Sequence, residues 1–529
     1  MSVERPRGAL DLPTWLGYLT RPAAGLFRRM NWPRRGRRGH RPQDILLPQG
    51  YVAEVVATEL TAPVHVTFGA DGLAYVTEAG HHTAEPPRIW RVDPRSGEKE
   101  VHFTLPRERW VVTGALTGAA WVDSQLVITP TDAVARVRPD GTLEDIVTGL
   151  PGRGDHQVNH PLLGPDGRLY FAVGSATNMA VVGPDSFTFG WLPDNPGVHD
   201  VPARDVRLAG RNYEYRDILH DLTRTVRTGA FVPYGTETAE GQVIPGDVKA
   251  NGAILRCRPD GSELEVFAWG LRNPYGICFD ASGRLFATEH GADDRGPRQI
   301  VGDPDDLYEI REGAWYGWPD FASGIRLDDP HWGEKGQGRE PVLAEFPDPD
   351  PPKPLVSFEP HGGSNGITIS PGGEFGFEGQ AFVALFGDLA PVTTARLATP
   401  RGYKIVRVDL AGRTVRDFAV NRFQGPASKL PHGGFERPSH CAFGADGALY
   451  VVDWGEMDIA PESAGVKVQH GSGTLWRIRR AGGPAGEEPP KPREVPFYLA
   501  QYGLWAAAAA ATLVALAWLL RRVLRRRAR

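Results

Sequence analysis

Short apolar segments separated by turn sequences follow one another from about residue 45 to residue 480. Many of the turns contain Asp-Gly or Gly-Gly pairs, which favour β-hairpins. One recurring unit is a small-residue entry, an apolar strand, often a turn, and a second strand, at Val64–Glu78, Ala115–Thr129, His160–Gly174, Tyr275–His290, Gly366–Leu385 and Ser439–Trp454. A second unit is a short apolar strand, usually with arginine at its third position, at Ile89–Val92, Val134–Val137, Ile254–Cys257, Leu307–Ile310, Ile405–Val408 and Leu475–Ile478. The two units alternate six times, which predicts a repeated β structure.

Repeats of about 40–50 residues with about four strands each are typical of propeller blades. We therefore predict an all-β fold, a six-bladed β-propeller over residues 45–480, because a β-sandwich gives no reason for six repeats. The lone strand Tyr51–Glu59 precedes the first repeat, and we expect it to pair with the final blade and close the ring. The largest insertion, Ser175–Ala250, falls inside the third repeat, where it is placed to cover the mouth of a central site.

Composition and charge agree with many strands joined by turns, since the chain contains 64 glycines and 47 prolines. The net charge of −5 is unevenly distributed: residues 1–44 carry +7, residues 521–529 carry +6, and the body between them carries −18. An acidic body argues against nucleic acid as the main partner, because phosphate binding needs a basic surface. Cys257, Cys278 and Cys441 are far apart in apolar segments, so we expect buried free thiols.

The C-terminal segment predicts a membrane anchor. Residues 495–520 contain no charged residue, and about 20 apolar residues span a bilayer. We predict a transmembrane helix there, preceded by a linker over 481–494 and followed by the basic tail 521–529. The positive-inside rule then places the tail in the cytoplasm and the propeller outside the cell membrane. Residues 1–44 do not have the pattern of a secretory signal, and we expect them to be disordered or interfacial.

Polar residues stand at the entries to several repeats, where a propeller chain leads into the strand that lines the central channel. Asp155 and His156 precede the third repeat, Arg272 and Asn273 the fourth, and Arg437 the sixth. Residues at equivalent entries converge around the axis, so we expect a polar cavity suited to a charged ligand. Each residue also has a structural explanation, because a lone histidine is often structural, Arg272 could pair with Asp155, and Asn-Pro commonly begins a turn. For His65, His361 and His440 the sequence leaves both explanations open.

Six motifs occur in the order found in a known family. They are Gly154–Gln157 with the hairpin Gly164–Tyr170, Trp269–Gly276, Ala287–Gly291, Tyr316–Pro319, Gly402–Val408 and Ala445–Tyr450. Over residues 50–480 the chain resembles the soluble glucose dehydrogenase and sorbosone dehydrogenase quinoproteins, six-bladed propellers that bind pyrroloquinoline quinone (PQQ) and calcium. The resemblance implies a dehydrogenase acting on a sugar or related alcohol or aldose.

The resemblance also implies roles for individual residues. His156 resembles the general base that takes the substrate hydroxyl proton, and Asp155 would orient its imidazole. Arg272 resembles the cation beside the quinone oxygens, with Asn273 adding a hydrogen bond. Further cofactor-binding cations would come from Arg401, Lys404 and Arg437.

Calcium takes carbonyl and carboxylate oxygens, and the resemblance implies a site at Gly291 and Ala292 with Asp305 and Asp306. Ala292 stands where the family often has proline, and about ten extra residues separate Asp293–Asp294 from Asp305–Asp306. Electrons would pass to a separate acceptor, because the sequence has no haem-attachment motif. Two alternatives are a calcium-dependent six-bladed lactonase and a non-catalytic propeller that holds a partner at the membrane.

Overall fold

The structure, a computed structural model, describes residues 38–83, 85–110, 115–332, 339–394, 399–429, 433–460 and 465–493. Six antiparallel sheets of four or five strands form six blades, which confirms the predicted propeller. The first strands of neighbouring blades contact one another around a ring, with the second strand of blade three completing the contact to blade four. These first strands are the inner strands of the propeller.

The six blades are numbered along the chain, and their strands are given in sheet order from the inner strand outward. Blade one contains Pro63–Phe68, Ala74–Glu78, Arg88–Val92 and Lys99–Thr104. Blade two contains Ala119–Val122, Gln125–Ile128, Val134–Val137 and Leu143–Val147. Blade three contains Leu162–Leu163, Leu169–Val173, Ala253–Cys257 and Glu265–Trp269.

The second half of the ring is built in the same way. Blade four contains Pro274–Phe279, Leu285–Glu289, Asp306–Ile310 and Val356–Ser357. Blade five contains Ser364–Ile369, Ala381–Leu385, Lys404–Asp409, Thr414–Asn421 and Ile45–Leu46. Blade six contains Pro438–Phe443, Leu449–Asp453, Gly473–Arg480 and Tyr51–Leu60.

The ring closes through a strand from the start of the propeller. Tyr51–Leu60 pairs antiparallel with Gly473–Arg480, so the outermost strand of the last blade precedes the first blade in the sequence. This confirms the predicted pairing of the lone strand with the final blade. Blade five receives a second early strand, because Ile45 and Leu46 pair with Asn421 and Val420.

The second strand of each blade lies in the core, between two neighbouring blades. All five residues of this strand are buried in blades one, three, four, five and six. Residues on both faces must therefore pack, which explains the continuous apolar runs that the sequence shows at these positions. Large side chains such as Phe171, Phe286, Phe382 and Tyr450 are fully buried there. Cys257, Cys278 and Cys441 are also buried and unpaired, as expected.

The Asp-Gly hairpin turns have a structural explanation. In blade one the hydroxyl of Tyr75 donates to Asp71 at 2.9 Å. The same contact joins Tyr170 to Asp166 at 2.9 Å in blade three and Tyr450 to Asp446 at 2.8 Å in blade six. The aspartate thus ties the turn to the strand that follows it.

Insertions lie between the blade strands. The segment 175–250 adds the short helices Pro184–Thr188 and Trp191–Asp194 and two hairpins, Val206–Ala209 with Glu240–Ile244 and Asn212–Asp217 with Asp221–Gly229. Smaller hairpins are Phe321–Ala322 with Ile325–Arg326 and Met457–Ala460 with Gly465–Val468. Short 3-10 helices occur at Pro42–Asp44, Arg107–Arg109, Pro330–Trp332 and Ala427–Lys429.

Within the described part of the chain, no helix is both long and apolar enough to cross a bilayer. The segment 495–520, for which the sequence predicts a transmembrane helix, lies outside the described residues. The basic tail 521–529 and residues 1–37 also lie outside them.

Candidate functional site

His156 lies at the entry to blade three and is fixed by the first residue of the large insertion. Its backbone N–H donates to the carbonyl oxygen of Ser175 at 3.1 Å, and its Nδ1 lies 3.0 Å from the same oxygen and 3.2 Å from the Ser175 hydroxyl. A carbonyl oxygen can only accept, so Nδ1 carries the proton and Nε2 is an acceptor. The ring is therefore held in the tautomer that a general base requires.

Burial lowers the pKa of His156 to about 3, although the nearby Asp155 carboxylate opposes this shift. The imidazole is therefore neutral near pH 7. A neutral ring with a free acceptor nitrogen can take a proton from a hydroxyl group placed against it.

Asp155 belongs to a buried ion cluster rather than to the imidazole. Its carboxylate forms an ion pair with Arg295, and Arg272 Nη2 lies 3.4 Å from the same oxygen. Both arginines also contact Asp293, at 3.1 Å from Arg272 and 2.9 Å from Arg295, and Arg295 reaches Asp185 at 2.7 Å. Two guanidinium groups and three carboxylates thus share one cluster, which we call the ion cluster.

The ion cluster changes the role that the sequence suggests for Asp155. The imidazole is oriented by Ser175, and Asp155 acts on it through its charge. Burial alone would raise the pKa of Asp155, but Arg295, His156 and Arg272 hold it at about 2. The carboxylate is therefore ionised at every physiological pH.

Arg272 and Asn273 are held by a carboxylate at the end of the second strand of their own blade. Glu289 Oε1 accepts hydrogen bonds from the backbone N–H groups of both Arg272 and Asn273, and its distance to the nitrogen of Asn273 is 3.1 Å. The same device occurs in two other blades. Glu78 accepts Thr61 N–H at 2.6 Å in blade one, and Asp453 accepts the N–H groups of Glu436 and Arg437 at 2.9 and 2.7 Å in blade six.

A chain of hydrogen bonds links the inner strands of blades three, four and five. Asn273 Nδ2 lies 3.0 Å from His290 Nδ1, and His290 Nε2 lies 3.0 Å from Asn365 Oδ1. Asn159 Nδ2 donates to Asn273 Oδ1 at 3.0 Å. Because Asn365 Oδ1 only accepts, His290 carries its proton on Nε2, and its Nδ1 accepts from Asn273. The predicted Asn273 thus helps to position His290, which stacks on Tyr275 with ring centroids 5.4 Å apart.

Sequence reasoning missed several residues of this site, namely Ser175, Asn178, His290 and Arg295. His290 stands inside the quoted motif Ala287–Gly291, which is a signal that could have identified it. Asn178 accepts from Arg272 Nε at 3.1 Å through its side chain and comes from the insertion, where no motif marks it.

The predicted metal ligands separate into two groups. Gly291, Ala292 and Asp306 line one small cavity of about 30 Å³, together with Glu289 and Asp303. Asp305 instead accepts the backbone N–H groups of Gly291 and Ser364, at 3.0 and 2.9 Å. Consecutive residues at the start of a strand point in opposite directions. The carboxyl group of Asp306 therefore lines the cavity, whereas that of Asp305 does not.

Three buried acids line this cavity, which we call the carboxylate cavity, and Arg272 lines it as well. Burial raises the pKa of Glu289 to about 8, of Asp303 to about 7 and of Asp306 to about 8. Glu289 Oε2 is buried and has no hydrogen-bond partner among the described residues. A cavity of this size accommodates about two waters or one ion, and hard oxygen ligands of this kind fit calcium.

The three further cations predicted to bind the cofactor, Arg437, Arg401 and Lys404, have different surroundings. Arg437 donates to the carbonyl oxygens of Gly387 and Asp388 at 3.0 and 3.1 Å, and its buried Nε has no partner in the described part of the chain. Arg401 donates to Pro360 O at 3.0 Å.

Lys404 is less suited to bind a cofactor. It lies between two carboxylates, 3.2 Å from Glu359 and 3.1 Å from Asp417, at the start of the third strand of blade five. Its charge is therefore already offset within the protein.

Part of the chain matches a known protein family. Residues 239–418 match the family described as Glucose / Sorbosone dehydrogenase, a segment that includes Arg272, Asn273 and Gly291 but neither His156 nor Arg437. The quinoprotein glucose dehydrogenase B of Acinetobacter calcoaceticus is 22% identical over 306 residues, which cover 52% of this chain and 53% of the relative. The chain thus matches about half the length of that relative.

A solved structure supports the fold. The holo form of the pyranose dehydrogenase PQQ domain from Coprinopsis cinerea has a TM-score of 0.51 and 15% identity, and covers 85% of this chain and 99% of that chain. At this identity the likeness concerns the fold alone. Together with the sequence matches, the order of the motifs confirms the resemblance of this chain to the glucose and sorbosone dehydrogenase family.

Proposed function

We propose that this propeller is a PQQ-dependent dehydrogenase that oxidises a hydroxyl group of a sugar or of a related alcohol or aldose. The observation that carries the proposal is His156, a neutral imidazole whose Nδ1 is fixed by Ser175 and whose Nε2 can accept a proton. The similarity to a quinoprotein glucose dehydrogenase supports the choice of cofactor and substrate class.

The residues present offer partners for the anionic cofactor. PQQ carries carboxylates, and the buried Arg437 Nε is a donor without a partner among the described residues. Leaving such a donor unsatisfied costs about 1–3 kcal/mol, which a bound carboxylate would recover. Arg272 and Asn273 are the groups that would stand beside the quinone oxygens. The positive charge of Arg272 is partly offset, because Asp155 and Asp293 already pair with it.

Calcium fits the carboxylate cavity. A divalent cation would offset the three acids and satisfy the free oxygen of Glu289. Gly291, Ala292 and Asp306 line this cavity, whereas Asp305 holds the loop that forms its wall. We propose these three residues, with Glu289 and Asp303, as the calcium-binding group.

The protein residues would act as follows. PQQ, when bound, supplies the acceptor for the hydride that leaves the substrate carbon. Ser175 keeps the proton on Nδ1 of His156, so Nε2 faces a hydroxyl proton in the accepting form. As the imidazole gains a proton, the ionised Asp155 stabilises the new positive charge. Arg272 and Asn273, fixed through Glu289, hold their donors in place without reorganisation.

The test uses the full chain with PQQ and calcium and measures dye reduction on a panel of sugars. We expect His156→Gln to lower kcat by about 10²–10⁴-fold, the usual contribution of a general base, while quinone binding persists. His199→Gln, which changes a partly exposed histidine on the insertion, serves as the control. The proposal is wrong if the wild-type chain binds no quinone, or if His156→Gln turns over as fast as the control.

Calcium has its own test. Glu289→Gln keeps an oxygen for the Arg272 and Asn273 N–H groups and replaces the unpartnered oxygen by an amide. Differential scanning calorimetry should show a Tm that rises with added calcium in the wild type and not in the variant. A calcium-dependent rise of equal size in both proteins would contradict this site.

We also propose that residues 495–520 anchor the protein in the cell membrane with the propeller on the outer side, and that a separate protein or small molecule accepts the electrons. The apolar length of the segment and the arginines that follow it support the anchor. Removing residues 495–529 should release the protein from membranes in a fractionation experiment. A truncated protein that stays in the membrane fraction would contradict the anchor.

A further inference from the structure

Three histidines converge at one level of the propeller, and each blade contributes one residue to that level. In blades one, four, five and six this residue is the third of the inner strand, whereas in blades two and three it lies one and two residues before the inner strand begins. In chain order these residues are His65, Gly118, His160, Gly276, Gly366 and His440. Three histidines and three glycines thus share one level of the ring, and we call His65, His160 and His440 the axial histidines.

The axial histidines are close together and buried. Their ring centroids lie 4.1 Å apart for His65 and His440, 4.8 Å for His65 and His160, and 5.4 Å for His160 and His440. One ring nitrogen from each residue lies within 4.8 Å of the other two. Each side chain belongs to a residue that is only 4% exposed.

The glycines make this arrangement possible. A Cβ at Gly118 would lie 2.4 Å from the Cβ of His160 and 3.0 Å from Cγ of His65. A Cβ at Gly366 would lie 2.3 Å from Cδ2 of His440. Any larger residue at these two positions would push the imidazoles away from the axis, so the ring has space for three side chains at this level.

One ring nitrogen of the group is unsatisfied. His65 Nδ1 is buried and has no hydrogen-bond partner among the described residues. His440 Nδ1 receives only a long contact of 3.5 Å from Val66 N–H. A buried nitrogen without a partner is unfavourable, and a bound metal ion would supply the missing partner.

The charge state of the axial histidines also suits a metal. Burial lowers the pKa of His160 to about 4 and the pKa values of His65 and His440 well below the usual value. The rings are therefore neutral, the form in which imidazole binds metals. The ionisable groups that shift the pKa of His65 are His440 and His160, with no carboxylate among them in the described part of the chain.

We propose that His65, His160 and His440 bind one transition-metal ion, copper or zinc, on the axis of the propeller. Imidazole nitrogens suit both metals, and metal–nitrogen bonds of about 2.0–2.1 Å place ligand nitrogens about 3.3–3.5 Å apart. The present separation of at most 4.8 Å is wider than that range, so the imidazoles would rotate toward one another when the ion binds. Three neutral ligands in a buried place favour Cu(I), because its single charge is cheaper to bury, whereas zinc would bring a hydroxide or water as a fourth ligand.

This axial site is distinct from the carboxylate cavity and from His156. It lies one residue further along the inner strands than Asn159 and Asn365, which belong to the hydrogen-bond chain around His290. The axial site therefore needs neither PQQ nor calcium, and its failure would leave the proposed dehydrogenase function unaffected.

The test begins with the wild-type protein, because a buried site is best filled while the chain folds. The full chain is expressed separately in media supplemented with copper and with zinc, purified in the presence of a mild chelator, and analysed by inductively coupled plasma mass spectrometry. We expect about one ion per chain from one of the two media. X-ray absorption should show three nitrogen ligands at about 2.0 Å. Less than about a tenth of an ion per chain in both cases would overturn the proposal.

Substitutions then identify the ligands. We expect His65→Gln, His160→Gln and His440→Gln each to lower the bound metal at least tenfold, and His199→Gln to leave it unchanged. Circular dichroism verifies that each variant is folded. If the three variants do not fold, the absorption spectrum of the wild-type protein decides alone, and a spectrum dominated by oxygen or sulfur ligands overturns the proposal. Metal retained in full by a folded triple variant overturns it as well.

Discussion

Arg295 is the residue whose loss should harm the ion cluster most. Its guanidinium pairs with Asp155, Asp185 and Asp293 and is only 9% exposed. Removing one partner of a buried ion pair costs about 3–5 kcal/mol, because the remaining charges stay buried without compensation. We therefore expect Arg295→Met to lower the free energy of unfolding by about 3–5 kcal/mol at pH 7.

The pKa of Asp155 gives an independent magnitude. It lies at about 2 in the folded protein against 3.8 for the free group, with Arg295 as the largest favourable cause. At about 1.4 kcal/mol per pKa unit, the shift from 3.8 to about 2 corresponds to about 2.5 kcal/mol of stability. Because the folded pKa is depressed, this contribution is present above pH 3.8 and is lost as the pH falls toward 2.

The assay is equilibrium unfolding of the full chain in urea, with Arg227→Met as the matched control. Arg227 pairs with Glu237 at 2.8 Å, but both side chains are about half exposed, at 48% and 55%. Such a surface pair contributes about 0–1 kcal/mol. The difference between wild type and Arg295→Met should be largest near pH 7 and narrow as the pH falls, because burial raises the pKa of a carboxylate that has lost its guanidinium partner. A loss in Arg295→Met no larger than in the control would refute this account of the ion cluster.

Three further outcomes follow from single sites. His156 has a folded pKa of about 3 against 6.5 when free, so stability should fall by about 1.4 kcal/mol per pH unit as the pH decreases below 6.5; urea unfolding between pH 7 and 5 should show a weaker slope in His156→Gln, and equal slopes would contradict the pKa. Gly366→Ala should lower the free energy of unfolding by about 1–3 kcal/mol through overpacking against His440. Gly197→Ala, where the nearest atom to the new Cβ lies at 3.7 Å, should lower it less, and urea unfolding of the two variants compares them. Trp476→Ala empties a fully buried site and should cost about 3–5 kcal/mol in urea; a loss below about 1 kcal/mol would show that blade six does not depend on this ring.

The fold could be predicted from sequence because the blades repeat. Six alternating units fix the number of blades, and the lone strand Tyr51–Glu59 has a use only if it closes the ring. The sequence does not predict that Ile45–Leu46 forms the outermost strand of blade five, because two apolar residues carry no periodic signal.

The candidate site could be predicted only in part. Entry positions identify His156 and Arg272 and the pairing of Arg272 with Asp155, but Asp155 also pairs with Arg295, which lies 140 residues later in the sequence. Nothing in the local sequence shows such a distant contact. The separation of Asp305 from Asp306 could have been foreseen, since consecutive strand residues point to opposite sides. The sequence singles out His65 and His440 but not their convergence with His160, which lies two residues before the short inner strand of blade three.

The strand that closes the ring has a consequence for synthesis of the protein. Tyr51–Leu60 leaves the ribosome early, but its partner Gly473–Arg480 follows more than 400 residues later. At about 5–20 residues per second, this edge of unpaired backbone waits for about 20–80 s before it can bond. Ile45–Leu46 waits almost as long for blade five. Blades one to four can form while translation continues. Blades five and six each need a strand from residues 45–60, so these residues must remain unaggregated until the end of translation.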